Sequence, residues 1–107
     1  MIRELTIDYV GPSEDDRAHL RLLMRKVADS MAVRWHWGEE HRADALFIDP
    51  TTLAGQMART RAQEGGVRCI LLERVASTGT NEQVLPRPFR ADAMRAALDA
   101  VAAQRDA

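Results

Sequence analysis

The chain alternates between two hydrophobic rhythms. Leu5, Ile7 and Tyr9 alternate with Thr6 and Asp8, a period of two that predicts a strand, and Gly11-Pro12-Ser13 stops it. Ser13 is a helix N-cap, and Glu14, Asp15 and Asp16 place negative charge in the first turn, where the helix dipole favours it. Leu20, Leu23, Met24, Val27 and Met31 then recur at helical spacing, with Arg17, Arg21, Arg25 and Lys26 mostly on other faces. Val33, Trp35 and Trp37 alternate with Arg34 and His36 and predict a second strand ending at Gly38. Ala45-Leu46-Phe47-Ile48 is an unbroken apolar run, as expected of a strand covered on both faces, and Asp49-Pro50-Thr51-Thr52 closes it.

Ala54, Met57, Ala58 and Ala62 predict a helix that Gly65-Gly66 ends as a C-cap. Val67 to Leu72 is a further apolar strand around Cys69. From Glu73 to Gln83 the chain turns polar, with Ser77-Thr78-Gly79-Thr80-Asn81 reading as an exposed loop. Val84-Leu85 is a short strand stopped by Pro86. A last helix follows Phe89, with Met94, Ala97, Leu98, Val101 and Ala102 on one face. Strands that alternate with helices predict a parallel sheet wrapped on both faces, with any active edge at the carboxyl ends of the strands.

Composition narrows the function classes. The 107 residues fit one domain, spanning 1–107, and folding should bury roughly two-thirds of the unfolded surface. No run approaches the length of a membrane span, and Met1-Ile2-Arg3-Glu4 opens no apolar leader, so a cytoplasmic protein is expected. With 15 basic against 16 acidic residues there is no excess to neutralise phosphates, which argues against general nucleic-acid binding, and the lack of a long apolar run argues against a membrane. Cys69 is the only cysteine, so neither an internal disulfide nor a multi-cysteine zinc site can form.

Two segments carry a resemblance. Asp44-Ala45-Leu46-Phe47-Ile48-Asp49 resembles the third strand of the receiver domains of bacterial two-component response regulators, whose terminal aspartate accepts a phosphoryl group. Leu85-Pro86-Arg87-Pro88-Phe89 is similar to that family's fifth strand and its lysine-proline turn, and Arg17-Ala18-His19-Leu20 fits its first helix. The likeness runs through nearly the whole chain. It implies a flavodoxin-like five-stranded parallel sheet of order 2-1-3-4-5, and a cis bond at Arg87-Pro88.

The departures bear on function. Receiver chemistry needs a pair of acids after the first strand to hold Mg²⁺, and that place falls at Gly11-Pro12. Asp8 could substitute only if the turn carried an insertion. The family's switch threonine or serine stands here as Glu73, and its lysine as Arg87, a planar fork in place of a compact ammonium. Glu39 to Ala43 is too short for the usual second helix, and the polar stretch from Arg74 to Glu82 stands where a fourth should be, so both are expected to be shortened or missing.

Each candidate has a functional and a plain reading. Asp49 is a phosphoacceptor on the first and, on the second, a strand-end carboxylate fixed by a salt bridge to Arg87 and capping nearby amides. His36-Trp37-Gly38-Glu39-Glu40-His41 has two histidines five positions apart with a glycine between, which suits a solvated turn better than zinc. Val33, Trp35 and Trp37 lie over the core or, if the missing helix leaves their face bare, form an apolar patch for a partner or a second copy. Cys69 reads as inert core. The loop Val10-Gly11-Pro12-Ser13 has one glycine and a proline without an amide donor, a poor phosphate cradle, so no cofactor is expected. The expectation is a phosphorylation-independent, non-enzymatic pseudo-receiver. It would bind a protein partner or effector domain, or a second copy as a homodimer, at the front of a larger bacterial regulator. A true receiver using Asp49, and a sensor of a small anion such as a cyclic dinucleotide at Arg87 and Arg90, are the alternatives.

Overall fold

The computed structural model describes residues 3–38, 42–73 and 82–106. The elements follow in the order β1 (Arg3–Val10), α1 (Glu14–Ala28), β2 (Val33–Trp37), β3 (Ala45–Ile48), α2 (Leu53–Gly65), β4 (Arg68–Leu71), β5 (Glu82–Val84) and α3 (Ala91–Asp106). All strand pairs are parallel and the sheet order is β2-β1-β3-β4-β5. The protein is therefore an α/β fold of flavodoxin-like topology, with three helices among the described residues.

The two faces of the sheet are covered unequally. On one, Ile7, Phe47, Ile70 and Leu72 pack with Leu20, Leu23 and Met24 of α1 and with Met94, Leu98 and Val101 of α3. On the other, Leu46, Ile48, Cys69 and Leu71 pack against Ala58 and Ala62 of α2. Small alanines on α2 let that helix lie close to β3 and β4, and Gly66 ends it in the left-handed region at φ 72°. The unbroken apolar run of β3 is thus explained by cover on both sides, as its sequence implied, and the Cys69-Ile70-Leu71 end of β4 is covered in the same way.

A register stagger accounts for the missing second helix. A parallel crossover ordinarily takes a dozen or more residues because the chain must return the length of the strand. Here Ile7 of β1 pairs with Trp37, the last residue of β2, and also with Ala45, the first of β3. The chain has no return to make. The end of β2 and the start of β3 stand level on either side of β1, about 10 Å apart at the usual strand spacing, so no full return helix is required between them. Asp44 seals the step: its amide donates to the Thr6 carbonyl at 2.9 Å, and its carboxylate accepts the Thr6 amide at 2.9 Å.

The side chains next to this crossing suit an uncovered face. Glu4, Thr6 and Asp8 of β1 share it with Arg34 and His36 of β2, and Glu4 accepts from His36 at 3.2 Å with Arg34 at 3.9 Å. Solvent-exposed pairs of this kind contribute less than about 1 kcal/mol each, but they keep the face wet.

One boundary departs from the sequence reading. The fifth strand was expected at Val84-Leu85 and instead begins at Glu82, with Leu85 continuing the ladder through a 2.7 Å bond to the Leu71 carbonyl. Glu82 is 8% exposed, a charge inside a strand, so an apolar pattern cannot reveal it. Arg59 of α2 neutralises it with a forked pair of bonds at 2.6 and 2.9 Å. The expected exposed loop at Ser77–Asn81 and the position of a fourth helix lie outside the described residues.

Candidate functional site

The carboxyl edge of the sheet gathers one cation and three acids. Arg87, in the turn after β5, sends its guanidinium back across the strand ends. Nη1 donates to the Leu72 carbonyl at 2.9 Å and to the Glu73 carboxylate, both just past β4. Nη2 donates to Asp16 at 2.6 Å and to Asp49 at 3.3 Å. The guanidinium carbon also stands 5.2 Å from the centre of the Phe89 ring. The Arg87-Pro88 peptide is cis, as the family resemblance implied.

Each acid is delivered by a different piece of local chemistry. Ser13 caps α1 by accepting the Asp16 amide at 3.2 Å, which fixes Asp16 in the first turn with its carboxylate free to meet Arg87. Asp49 is 7% exposed at the end of β3. Its Oδ1 accepts the amide of Thr51 at 2.9 Å and the Thr51 hydroxyl at 2.6 Å, an Asx turn that ties down the loop into α2. Its backbone is clamped as well: the amide donates to Val10 at 3.1 Å and the carbonyl accepts the Thr52 hydroxyl at 3.1 Å. Burial pushes the Asp49 carboxyl up, but the two Thr51 bonds and the Arg87 charge outweigh it and hold the group below its ordinary value. Arg87 is held above its own ordinary value: burial works against that, and the Asp16, Glu73 and Asp49 charges prevail.

Two glycines make this clamp possible. A Cβ on Gly55 would lie 1.8 Å from the Asp49 carbonyl oxygen. Gly11 has φ 97°, and a Cβ there would meet the Thr52 hydroxyl at 2.4 Å. The β1–α1 turn, the β3–α2 turn and the start of α2 therefore interlock directly beneath the Asp49 carboxylate.

The sequence candidates fall in different places. Asp49, Glu73 and Arg87 converge, and the expected Asp49–Arg87 salt bridge is present. Asp16 joins them unannounced. Its sequence signal was that of a first-turn acid, and only the return of Arg87 across the sheet gives it a second task. Asp8 lies on the other side of β1 from the α1-covered face and turns its carboxylate to the Tyr9 amide at 2.8 Å. Gly11-Pro12 contributes no carboxylate, and among the described residues no cluster of three potential metal ligands forms a metal site. Arg90 is exposed beyond the turn. Of the histidine pattern, His36 lies on β2 and bonds Glu4, while Glu39, Glu40 and His41 lie outside the described residues.

Val33, Trp35 and Trp37 do not occupy the face left open by the short crossover. Their register with Arg3, Leu5 and Ile7 puts them on the α1 side of the sheet. Val33 is buried, Trp35 is half-buried against the core, and Trp37 is 38% exposed with its ring 5.0 Å from Tyr9 and 6.1 Å from Phe47. Cys69 is fully buried, and burial together with the nearby Glu82 carboxylate pushes its thiol up to about 12. No helix among the described residues is long and apolar enough to cross a membrane.

A flavodoxin-like sheet with an arginine-bridged triad of acids at its carboxyl edge is the class that fold and site define. Comparison with protein-family models, with curated proteins and with solved structures finds no match for this chain.

Proposed function

We propose that this chain is a phosphorylation-independent pseudo-receiver, a bacterial signalling module that works by protein–protein contact. One observation carries the reading: a guanidinium from the chain itself lies among Asp16, Asp49 and Glu73. In a receiver this edge would hold a divalent cation and a phosphoryl group. Here Arg87 supplies the positive charge permanently, and its four η hydrogens face three carboxylates and one carbonyl. An incoming phosphoryl would have to displace that ring of bonds and then sit beside Asp16 and Glu73, two like charges. A site tied in this way favours one conformation and leaves no two-state element for a signal to bias. Catalysis is no part of this reading, nor is a bound cofactor.

The same geometry weighs against the two alternatives. A phosphoaccepting Asp49 would need its Oδ2 released from Arg87 and its Oδ1 from Thr51. An anion sensor at Arg87 and Arg90 would bring negative charge to an edge where acids already outnumber the cation.

The test is intact mass after incubation with acetyl phosphate and Mg²⁺, beside Asp49→Asn. We expect no phosphoryl adduct. An adduct on the unaltered chain that disappears in Asp49→Asn would overturn the proposal in favour of a true receiver. Calorimetric titration with cyclic di-GMP is expected to show no heat; saturable binding lost in Arg87→Met would favour the sensor instead.

A further inference from the structure

We propose that the outer edge of β2, with the groove between it and α1, is a docking site for an acidic, extended segment of a partner protein, added as a sixth strand. This rests on the interaction-module reading and gives that module a surface.

Among the described residues the sheet order leaves β2 paired on one side only, to β1. Gly38 donates its amide to the Ile7 carbonyl at 2.9 Å, which fixes the parity of the strand. The backbone groups of Arg34 and His36 then face β1, and those of Val33, Trp35 and Trp37 face outward. Three residues thus offer donors and acceptors to a new strand. Native proteins commonly blunt such an edge, and edges left open serve strand addition.

Beside that edge lie two adjoining cavities that share Met24, Ala28 and Trp35. One, of about 280 Å³, continues past Met31 and Val33 and carries one carboxylate, Asp29, and one cation, Arg34; the other, of about 320 Å³, continues past Arg21, Arg25 and Trp37, so the groove as a whole holds three arginines against one acid. They follow one another along the strand, as alternate side chains of an added strand would. The Trp35 indole N–H, between them, is buried without a hydrogen-bond partner.

Charge selects the occupant. The second cavity is framed by two arginines and by no carboxylate among the described residues. On the opposite face of β2 the side chains flanking the edge are Arg34 and His36, which share the single carboxylate of Glu4 at 3.9 and 3.2 Å. A second copy in antiparallel pairing would set Arg34 against His36, and Arg21 and Arg25 against a like surface, so a second copy is disfavoured. An acidic strand satisfies both faces: apolar side chains enter the cavities while glutamates meet Arg34 and His36, and an aspartate reaches Arg21.

The probe is a fluorescein-labelled peptide amide, Ser-Leu-Glu-Leu-Glu-Asp-Ser, titrated into ¹⁵N-labelled protein. Two controls accompany it: the same peptide with lysine at its three acidic positions, and one N-methylated at alternate amides. We expect shifts centred on the Val33, Trp35 and Trp37 amides and the Trp35 indole. Binding should fall about tenfold in the double variant Arg21→Glu with Arg25→Glu, which keeps its circular dichroism, and that variant should gain affinity for the lysine peptide. N-methylation should abolish binding. Equal binding of the N-methylated peptide, shifts elsewhere, or no shift at millimolar peptide would each overturn the proposal. So would β2-centred self-association that excludes the peptide, which would assign the edge to a second copy. These failures leave the phosphorylation-independent reading standing, because that reading falls to a phosphoryl adduct on Asp49 or to saturable cyclic di-GMP binding, neither of which this titration reads.

Discussion

Arg87 Nη2 lies 2.6 Å from Asp16 Oδ2, joining the turn after the last strand to the first turn of the first helix. The contact spans 71 positions of chain and closes the carboxyl edge of the sheet over the Asp49 carboxylate. Its chemistry is ordinary, a forked cation among acids, but its location is where this fold usually keeps a ligand. Several consequences of that substitution can be measured.

Replacing Arg87 with methionine leaves Asp16, Asp49 and Glu73 as neighbouring carboxylates without their cation. The guanidinium is a third exposed, so solvent screens part of the loss, and a destabilisation of about 1–2 kcal/mol is expected in urea denaturation. The loss should shrink in high salt, and Mg²⁺ should raise the melting temperature of Arg87→Met more than that of the unaltered chain. Arg87→Lys keeps the charge but reaches fewer acceptors at once, so it should fall between the two. A variant as stable as the original at low salt would mean that the bridge contributes nothing.

The Asp49 carboxylate gives the fold a defined acid response. Its folded-state pKa lies below the ordinary 3.8, so near and below pH 4 the unfolded chain binds the extra proton. Stability from Asp49 is therefore fully present above that ordinary value and is lost as pH falls through the lower, folded one. Asp49→Asn should flatten this part of the acid limb and leave the profile near neutrality parallel to the original. A limb of unchanged slope would show that other carboxylates carry it.

Gly55→Ala and Gly66→Ala form a contrasting pair. At Gly55 the new Cβ would lie 1.8 Å from the Asp49 carbonyl, backbone against backbone, and neither neighbour can move without opening the β3–α2 turn. A loss of about 3 kcal/mol or more is expected, from overpacking. At Gly66 nothing lies within 4 Å, so only the left-handed backbone is penalised, by about 1–2 kcal/mol. Chemical denaturation of the two variants decides the ranking, and equal losses would show that the turn beneath Asp49 is looser than its geometry.

Much of this was legible in the chain. Period-two and helical spacings located β1, α1, β2 and α3, and the apolar runs located β3 and β4, because hydrophobic burial against two layers leaves a pattern in sequence. The segments around Asp49 and Arg87 pointed to the edge that the structure assembles. Three features were not legible, each for its own reason. Glu82 begins β5 as a buried charge, and its partner Arg59 lies on another element, so no local pattern marks it. Asp16 reads as a capping acid until Arg87 is folded back upon it. The stagger that lets β2 and β3 both meet Ile7 is a property of register, and register is set by pairing across the sheet. The position of Trp35 and Trp37 under α1 follows from that same register.

The Arg59–Glu82 pair and Cys69 test the opposite flank of the sheet. The Glu82 side chain is fully buried, Arg59 is partly buried, and α2 is joined to β5 through their forked bonds. Glu82→Gln leaves the guanidinium with a neutral partner, and Arg59→Met leaves a buried carboxylate without its cation, held by the neutral Gln63 amide at 3.4 Å. The second is the harsher change, with an expected loss of about 3 kcal/mol or more against about 2 for the first. Combining Arg59→Met with Glu82→Leu removes both charges and should recover most of the stability, since an apolar replacement of a buried pair is often neutral. Cys69 reports on the same flank, because burial and the Glu82 carboxylate together keep its thiol protonated at neutral pH. In the native chain it should resist iodoacetamide and react fully on unfolding. In Arg59→Met alone, local loosening should raise its labelling rate before global unfolding begins. A labelling rate that follows only global stability across all these variants would show that α2, β4 and β5 open as one unit with the rest of the sheet.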